Sequence, residues 1–233
     1  MFKYNYDLRY GDYKDFDTVK PSAILDIVQD IAIRHSESCG FGLNKMREIG
    51  NAWLIQGIKL HFERPVKPNE KITAYTAIKN MHAATSERGC IIEQNGETVA
   101  KTVANWFLID CNKLRPCRIP KEISEAYTTH DFGDDFFEFI KPELQDAECI
   151  NIIRVSNKEI DTNKHLNNQK SAELLMDALP FDFFFTDAVI FYKRAAYLGE
   201  ELELCVKPIE NGYYVHLQTK EKEICVAGTF KTN

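Results

Sequence analysis

A chain of 233 residues, 44 % hydrophobic and 27 % charged, has the make-up of an ordinary globular protein, long enough for one large domain or two of about 100–120 residues. A net charge of −6 argues against a general nucleic-acid binder, and no apolar run approaches the roughly 18 residues that a membrane span needs. Neither common glycine-rich phosphate loop occurs, and no Cys/His grouping has zinc spacing, so neither cofactor nor metal is expected.

The first residues, MFKYNYDLRYGDYKD, alternate apolar and charged positions and lack the apolar core of a signal peptide. They read as a first strand. Seven cysteines, at positions 39, 90, 111, 117, 149, 205 and 225, form no C-x-x-C pair. With no export signal, the expectation is free thiols in a reducing cytosol, and a cytoplasmic protein.

From Pro21 to Ser36, Ile24, Ile27, Val28 and Ile31 form a helical stripe, with Pro21 suited to the first turn and Gly40 and Gly42 marking the end. Next, Ile58, Leu60 and Phe62 alternate with more polar neighbours, as a half-buried strand requires. Further strands are predicted at 72–78, 89–94 and 98–109, with Asn95-Gly96 as a hairpin turn. Residues 121–145 are acidic and aromatic, include DFGDDFFEF, and read as a connector. The second half then predicts a strand over 150–159, a helix over 168–179 stopped by Pro180, and strands over 188–197, 201–206, 213–218 and 224–230.

The halves repeat one element order. A shift of 130 residues lays Leu60–Phe62 on Ile190–Tyr192, Arg64 on Arg194 and Glu70 on Glu200, and brings a turn at Asn80 near Glu210-Asn211-Gly212. Duplication accounts for both the matches and the order. One helix followed by about four antiparallel strands buries that helix only if the sheet curls around it. The expected fold is therefore α+β: two tandem hotdog domains, 1–120 and 146–233, joined by 121–145.

The densest polar string is D-T-N-K-H-L-N-N, Asp161 to Asn168, where a strand ends and the second helix begins. A helix N-terminus offers N–H donors and partial positive charge to a developing oxyanion. His165 is the side chain here that exchanges protons near neutral pH. Asn163 can hold a water or the substrate, and Asp161 can orient either. Asn and Asp also cap helices, so Asn167 and Asn168 have a plain reading as caps beside a substrate-binding one. The spacing by two of Asp161, Asn163 and His165 favours chemistry, because an extended segment projects all three to one side.

D-x-N-x-H-x-N-N at the start of a helix resembles the active-site motif of the acyl-(acyl carrier protein) thioesterases, which release free fatty acids at the end of fatty-acid synthesis. GFGLNKMREIGNAWLIQGIKLHFERPVKPNEKI resembles that family's first-domain core, VANWFLIDCNKLRPCRIP its domain-closing strand and basic tail, and YKRAAYLGEEL its second-domain strand. The resemblance covers most of the chain in the family's order. It implies a thioester hydrolase with catalytic Asp161, Asn163 and His165 and substrate contacts at Asn167 and Asn168. The implied partners are acyl-loaded acyl carrier protein and a fatty acyl thioester, and a homodimer is allowed for. The chain departs from the family at Ala195 and Ala196, where a strand carboxylate is usual, and at Ser171 and Leu174, where an aromatic pair is usual. Glu173, Asp177 and Glu200 are the nearby replacements for the carboxylate. Two other readings compete: an acyl-coenzyme A thioesterase, and a non-catalytic acyl-binding hotdog protein.

Overall fold

The computed structural model describes residues 1–133 and 135–232; Asp134, within DFGDDFFEF, and Asn233, the end of the second expected domain, lie outside the described residues. The chain forms two compact units, 1–139 and 140–233, which divide inside the 121–145 stretch.

The first unit runs β1 (Phe2–Tyr6), α1 (Pro21–Ser38), α2 (Leu43–Glu48), β2 (Asn51–Phe62), β3 (Ile72–His82), β4 (Thr85–Gln94), β5 (Glu97–Asp110), β6 (Arg115–Pro116) and α3 (Lys121–Ala126). Its sheet has the order β1-β3-β4-β5-β2, antiparallel throughout, with β6 on the end of β5. Pro21 opens α1, where a missing N–H has no helical partner to lose. Ile24, Ile27, Val28 and Ile31 are all buried, as the stripe requires. Asn95 and Gly96 have φ of 54° and 83°, the two left-handed positions of a tight hairpin that Asn-Gly accommodates. The turn expected at Asn80 instead falls at Ala83, with φ 51°. A bulge between Ile78 and Asn80 lets β3 continue to His82.

Helices α2 and α3 escape a periodicity argument because each is six residues long with one buried residue, Met46 and Ile123. Those two join Ile78, Leu108 and Tyr127 in a satellite core. The aromatic stretch after α3 also packs on this unit. A Cβ at Gly89 would lie 2.4 Å from the Phe132 ring, so glycine makes room for that ring on the sheet. Phe132 stacks on Phe137 at 4.3 Å, and the Lys59 ammonium donates to the Phe136 carbonyl at 3.1 Å.

The second unit runs β7 (Glu148–Arg154), α4 (Asn168–Asp177), β8 (Asp187–Tyr192), β9 (Glu201–Ile209), β10 (Gly212–Gln218) and β11 (Ile224–Lys231). Its sheet has the order β8-β11-β10-β9-β7, again antiparallel. α4 packs on β10 and β11 through fully buried Ala172 and Leu175. Gly228 lies beneath it, where a Cβ would come within 3.1 Å of Leu175 Cδ1. The expected 150–159 strand stops at Arg154 and the expected 188–197 strand at Tyr192.

Each unit thus sets one principal helix on one face of an antiparallel sheet, the α+β tandem-hotdog arrangement. The repeat extends to side chains. Arg64 reaches Glu97 at 3.7 Å and Arg194 reaches Glu223 at 3.0 Å, so equivalent arginines tie equivalent hairpins. The free-thiol expectation holds for five cysteines and fails for two. Cys149 and Cys205 are register partners on β7 and β9 and are joined by a disulfide. Their 56-residue separation hid that pairing from the sequence.

Burial depresses the His35 pKa from 6.5 to about 4, with help from the Arg88 charge. The unfolded imidazole takes a proton at a higher pH than the folded one, so this contribution to stability is complete above pH 6.5 and declines as pH falls toward about 4. Melting curves across that window should show a falling Tm that flattens in His35→Gln, leaving the smaller slope due to His216, which burial also depresses. Equal slopes in both proteins would refute the assignment to His35.

Candidate active site

After β7, Ser156 caps a single 3-10 turn over Asn157–Glu159, its N–H and hydroxyl both held by the Glu159 carboxylate at 2.8 and 3.0 Å. Ile160 then pairs antiparallel with Leu166, so 161–165 form the loop of a tight hairpin. The Asp161 N–H donates to the His165 carbonyl at 2.8 Å, the Lys164 N–H donates to the Asp161 carbonyl at 3.0 Å, and Lys164 sits at φ 64°. The segment is therefore not the extended run expected from the spacing by two, because the chain reverses within it.

The Asp161 carboxylate is what holds the three polar residues together. Its Oδ1 accepts the backbone N–H groups of Asn163 at 2.8 Å and His165 at 3.3 Å, and its Oδ2 lies 3.4 Å from Asn163 Nδ2. A short acidic side chain folding onto the backbone two residues ahead stabilises such turns. Asn163 is exposed on the loop, and His165 is half-buried.

His165 bridges antiparallel to Tyr197, and the Leu166 N–H donates to the Ala196 carbonyl at 2.8 Å. The imidazole meets the Tyr197 ring edge-on, centroids 5.0 Å apart. Tyr197 escaped the sequence reading, since an aromatic next to a glycine turn reads as packing. These pairings run the Ala195–Ala196 backbone beside the His165 segment. The nearest replacement carboxylates are otherwise engaged. Glu200 bonds Arg194 at 2.7 Å and accepts the Tyr197 N–H at 2.9 Å, and Glu173 bonds Lys170 at 2.6 Å. Asp177 is the last residue of α4.

Asn167 is the N-cap of α4: its Oδ1 accepts from the N–H groups of Gln169 at 2.8 Å and Lys170 at 3.3 Å. Asn168 is the first helical residue, and its carbonyl accepts from the Ser171 hydroxyl at 2.8 Å and the Tyr192 hydroxyl at 3.1 Å. Tyr192, which the sequence reading took only as a strand residue, thereby ties β8 to the start of the helix. Desolvation pushes its phenol above the usual range, so it stays a neutral donor. Among the described residues, metal-type donors gather at Cys149, Glu203 and Cys205, and the two sulfurs there are already bonded to each other.

The cap can be separated from chemistry. Asn167→Ala should lower stability by about 1 kcal/mol, the usual cost of losing an N-cap, whereas Asn167→Asp keeps an acceptor and should retain the Tm. A full loss of Tm in Asn167→Asp would show that the amide group, not the acceptor oxygen, carries the contribution.

Comparisons with known proteins identify the family. Residues 1–127 match the family model described as the acyl-ACP thioesterase N-terminal domain, and residues 143–229 match the acyl-ACP thioesterase C-terminal domain. An acyl-ACP thioesterase from Bacteroides thetaiotaomicron superposes with a TM-score of 0.90 at 16 % identity, covering 99 % of this chain and 96 % of that one. The 12:0-ACP thioesterase from Umbellularia californica superposes with a TM-score of 0.87 at 16 % identity, with the same coverage of both chains. No curated protein matches in sequence. With both halves of the chain matched in order, and the motif Asp161–Asn168 inside the second, this chain belongs to the acyl-ACP thioesterase family and is a thioester hydrolase acting on acyl-ACP.

Proposed function

We propose that hydrolysis takes place at the 161–165 loop, with His165 as the proton-transfer group, on fatty acyl thioesters of acyl carrier protein. The observation that carries this reading is the Asp161 carboxylate holding the backbone of both Asn163 and His165 just ahead of the N-terminus of α4. The imidazole takes a proton from water as the water oxygen adds to the thioester carbonyl carbon, and the carbonyl electron pair moves to oxygen. The oxyanion is met by the positive end of α4, whose dipole acts even with two N–H groups capped. Asn163 Nδ2, only 3.4 Å and weakly held from Asp161, turns to donate to it. Collapse re-forms the C=O bond and breaks the C–S bond, and the leaving thiolate takes the proton from the imidazolium. Asp161 acts by positioning, and Asn167 and Asn168 fix the helix start against which the thioester lies.

Acyl carrier proteins are acidic, so docking on a chain of net charge −6 requires local cations. Lys113 and Lys121 are paired with Asp110 and Glu125 at 3.3 Å each, and Arg194 with Glu200 and Glu223. Exposed Arg115, Arg118 and Lys193 remain as steering groups. The domains of this proposal are 1–120 and 146–233, the second carrying the chemistry, and the setting is fatty-acid synthesis in the cytoplasm. The paired alanines favour one competing reading, an acyl-binding protein that turns over slowly if at all.

A panel of acyl-ACP and acyl-coenzyme A thioesters, scored for free-acid release, decides between these. Acyl-ACP should be preferred, and His165→Ala should lower kcat at least about 10²-fold, the usual scale of acid–base assistance. Near-normal turnover in that variant removes His165 from the mechanism, and binding without release at any pH supports the acyl-binding reading. Separately, Ala195→Glu should raise kcat at neutral pH by several-fold, because Ala195 neighbours the His165 segment and a carboxylate there can orient the imidazole or accept a proton from the imidazolium. Opposing it is an overpacking cost of about 1–3 kcal/mol. Folded Ala195→Glu protein with unchanged or lower kcat would show that no carboxylate is missing.

A further inference from the structure

One cluster of reactive side chains in the second unit plays no part in the proposed chemistry. Cys149, Glu203 and Cys205 bring one donor atom each within 4.8 Å of one another. The Cys149 sulfur lies 3.7 Å from Glu203 Oε2, and it is bonded to the Cys205 sulfur as a disulfide. Cys149 is exposed and Cys205 is fully buried, so small reagents reach the pair from the β7 side. A bulge between Cys149 and Asn151 interrupts the β7–β9 ladder at this point, and a bulge loosens pairing locally and re-aims side chains.

The neighbouring strand supports this cluster. Register sets Gln218 opposite Glu203 and His216 opposite Cys205. The Gln218 amide Nε2 donates to Glu203 Oε2 at 2.8 Å and lies 3.5 Å from Cys149 Sγ. Gln218 Oε1 faces His216 Nε2 at 3.2 Å. An amide oxygen only accepts, so in the neutral ring Nε2 carries the proton and Nδ1 the lone pair. That Nδ1 is buried without a hydrogen-bond partner among the described residues, in a side chain only 2 % exposed. A neutral imidazole whose other N–H is fixed by an oxygen is the form that ligates metals. Two thiols, a carboxylate and an imidazole make the donor set of a tetrahedral zinc site. Such a set has no signature in the sequence, since its members come from β7, β9 and β10.

We infer that Cys149, Cys205, Glu203 and His216 form a zinc site once the disulfide is reduced. A dithiol reductant passes two electrons and two protons to the sulfurs and itself becomes a disulfide. Zn2+ then displaces both thiol protons to solvent. Bonds of about 2.0–2.3 Å to a tetrahedral ion set neighbouring donors about 3.3–3.8 Å apart, so the freed sulfurs separate while the other donors close around the ion. β7 is thereby clamped to β9 by a sulfur–sulfur bond in one redox state and by a metal in the other.

The test compares the full-length protein as the disulfide and after reduction by a phosphine, with zinc affinity read by competition against a chromophoric chelator. The reduced protein should take up about one Zn2+ at least about tenfold more tightly than the disulfide form, with proton release, because thiols must ionise to bind. Cys149→Ser and Glu203→Gln should each weaken uptake by the reduced protein at least about tenfold. Cys111→Ser, at an exposed free thiol of the first unit, should leave it unchanged. Co2+ in place of Zn2+ should give the absorption of a tetrahedral ion with sulfur ligands. Equal uptake by the two redox forms overturns the inference without recourse to any variant. Uptake that survives Cys149→Ser, or that is lost in Cys111→Ser, overturns it as well. His216→Gln with unaltered affinity and an unaltered cobalt spectrum would overturn the four-residue site.

Discussion

Each unit has a single long helix to bury, and the architecture follows from that constraint. α1 and α4 carry fully buried residues, Ile24 and Ile31 on one and Ala172 and Leu175 on the other. Burial of an isoleucine or leucine side chain contributes about 1.5–3 kcal/mol, and one face of the sheet offers the apolar surface for it. The strands therefore place small residues or bulges where the helix comes close, as Gly228 does under Leu175. Because α4 is held by that packing, its first turn has a fixed position, and the 160–167 segment that leads into it inherits that position through Asn167 and through the Ile160–Leu166 pair.

The two repeats have diverged in the polar groups placed around this shared frame. In the second unit the polar groups lie ahead of the helix, in a hydrogen-bonded turn open to solvent at Asn163. In the first they lie beneath the helix, where Arg88 and His35 face each other across a closed interior. A polar residue at a helix start can exchange with water, and one under a helix cannot. Duplication of one unit thus supplied two different electrostatic environments from one backbone plan.

How far the sequence disclosed this depends on the range of the interaction concerned. The α1 stripe and the Asn95-Gly96 turn are local and periodic, and both are found where the residues indicate. The candidate site was legible as composition, since Asp161, Asn163 and His165 do share one small segment, but its geometry was misread. The i, i+2 spacing suggests an extended strand only if no side chain competes for the backbone, and Asp161 competes. The pairings of His165 with Tyr197, of Tyr192 with the α4 carbonyl and of Cys149 with Cys205 join residues 24 or more positions apart. Such contacts follow from sheet register, which a single sequence does not display. The short helices α2 and α3 failed for another reason, having one buried residue each and so no period to detect.

The Cys149–Cys205 bond has a topological consequence. The stretch it encloses begins in β7, ends in β9, and contains the 161–165 turn, all of α4, Tyr192 and the paired alanines. The whole candidate site is thus carried within one covalent ring. A single backbone break anywhere from 150 to 204 would convert the chain into two peptides that cannot diffuse apart while the sulfurs stay joined. The same ring removes many open arrangements from the unfolded chain, so after such a cut both halves of the site would still re-form as neighbours rather than as strangers in solution.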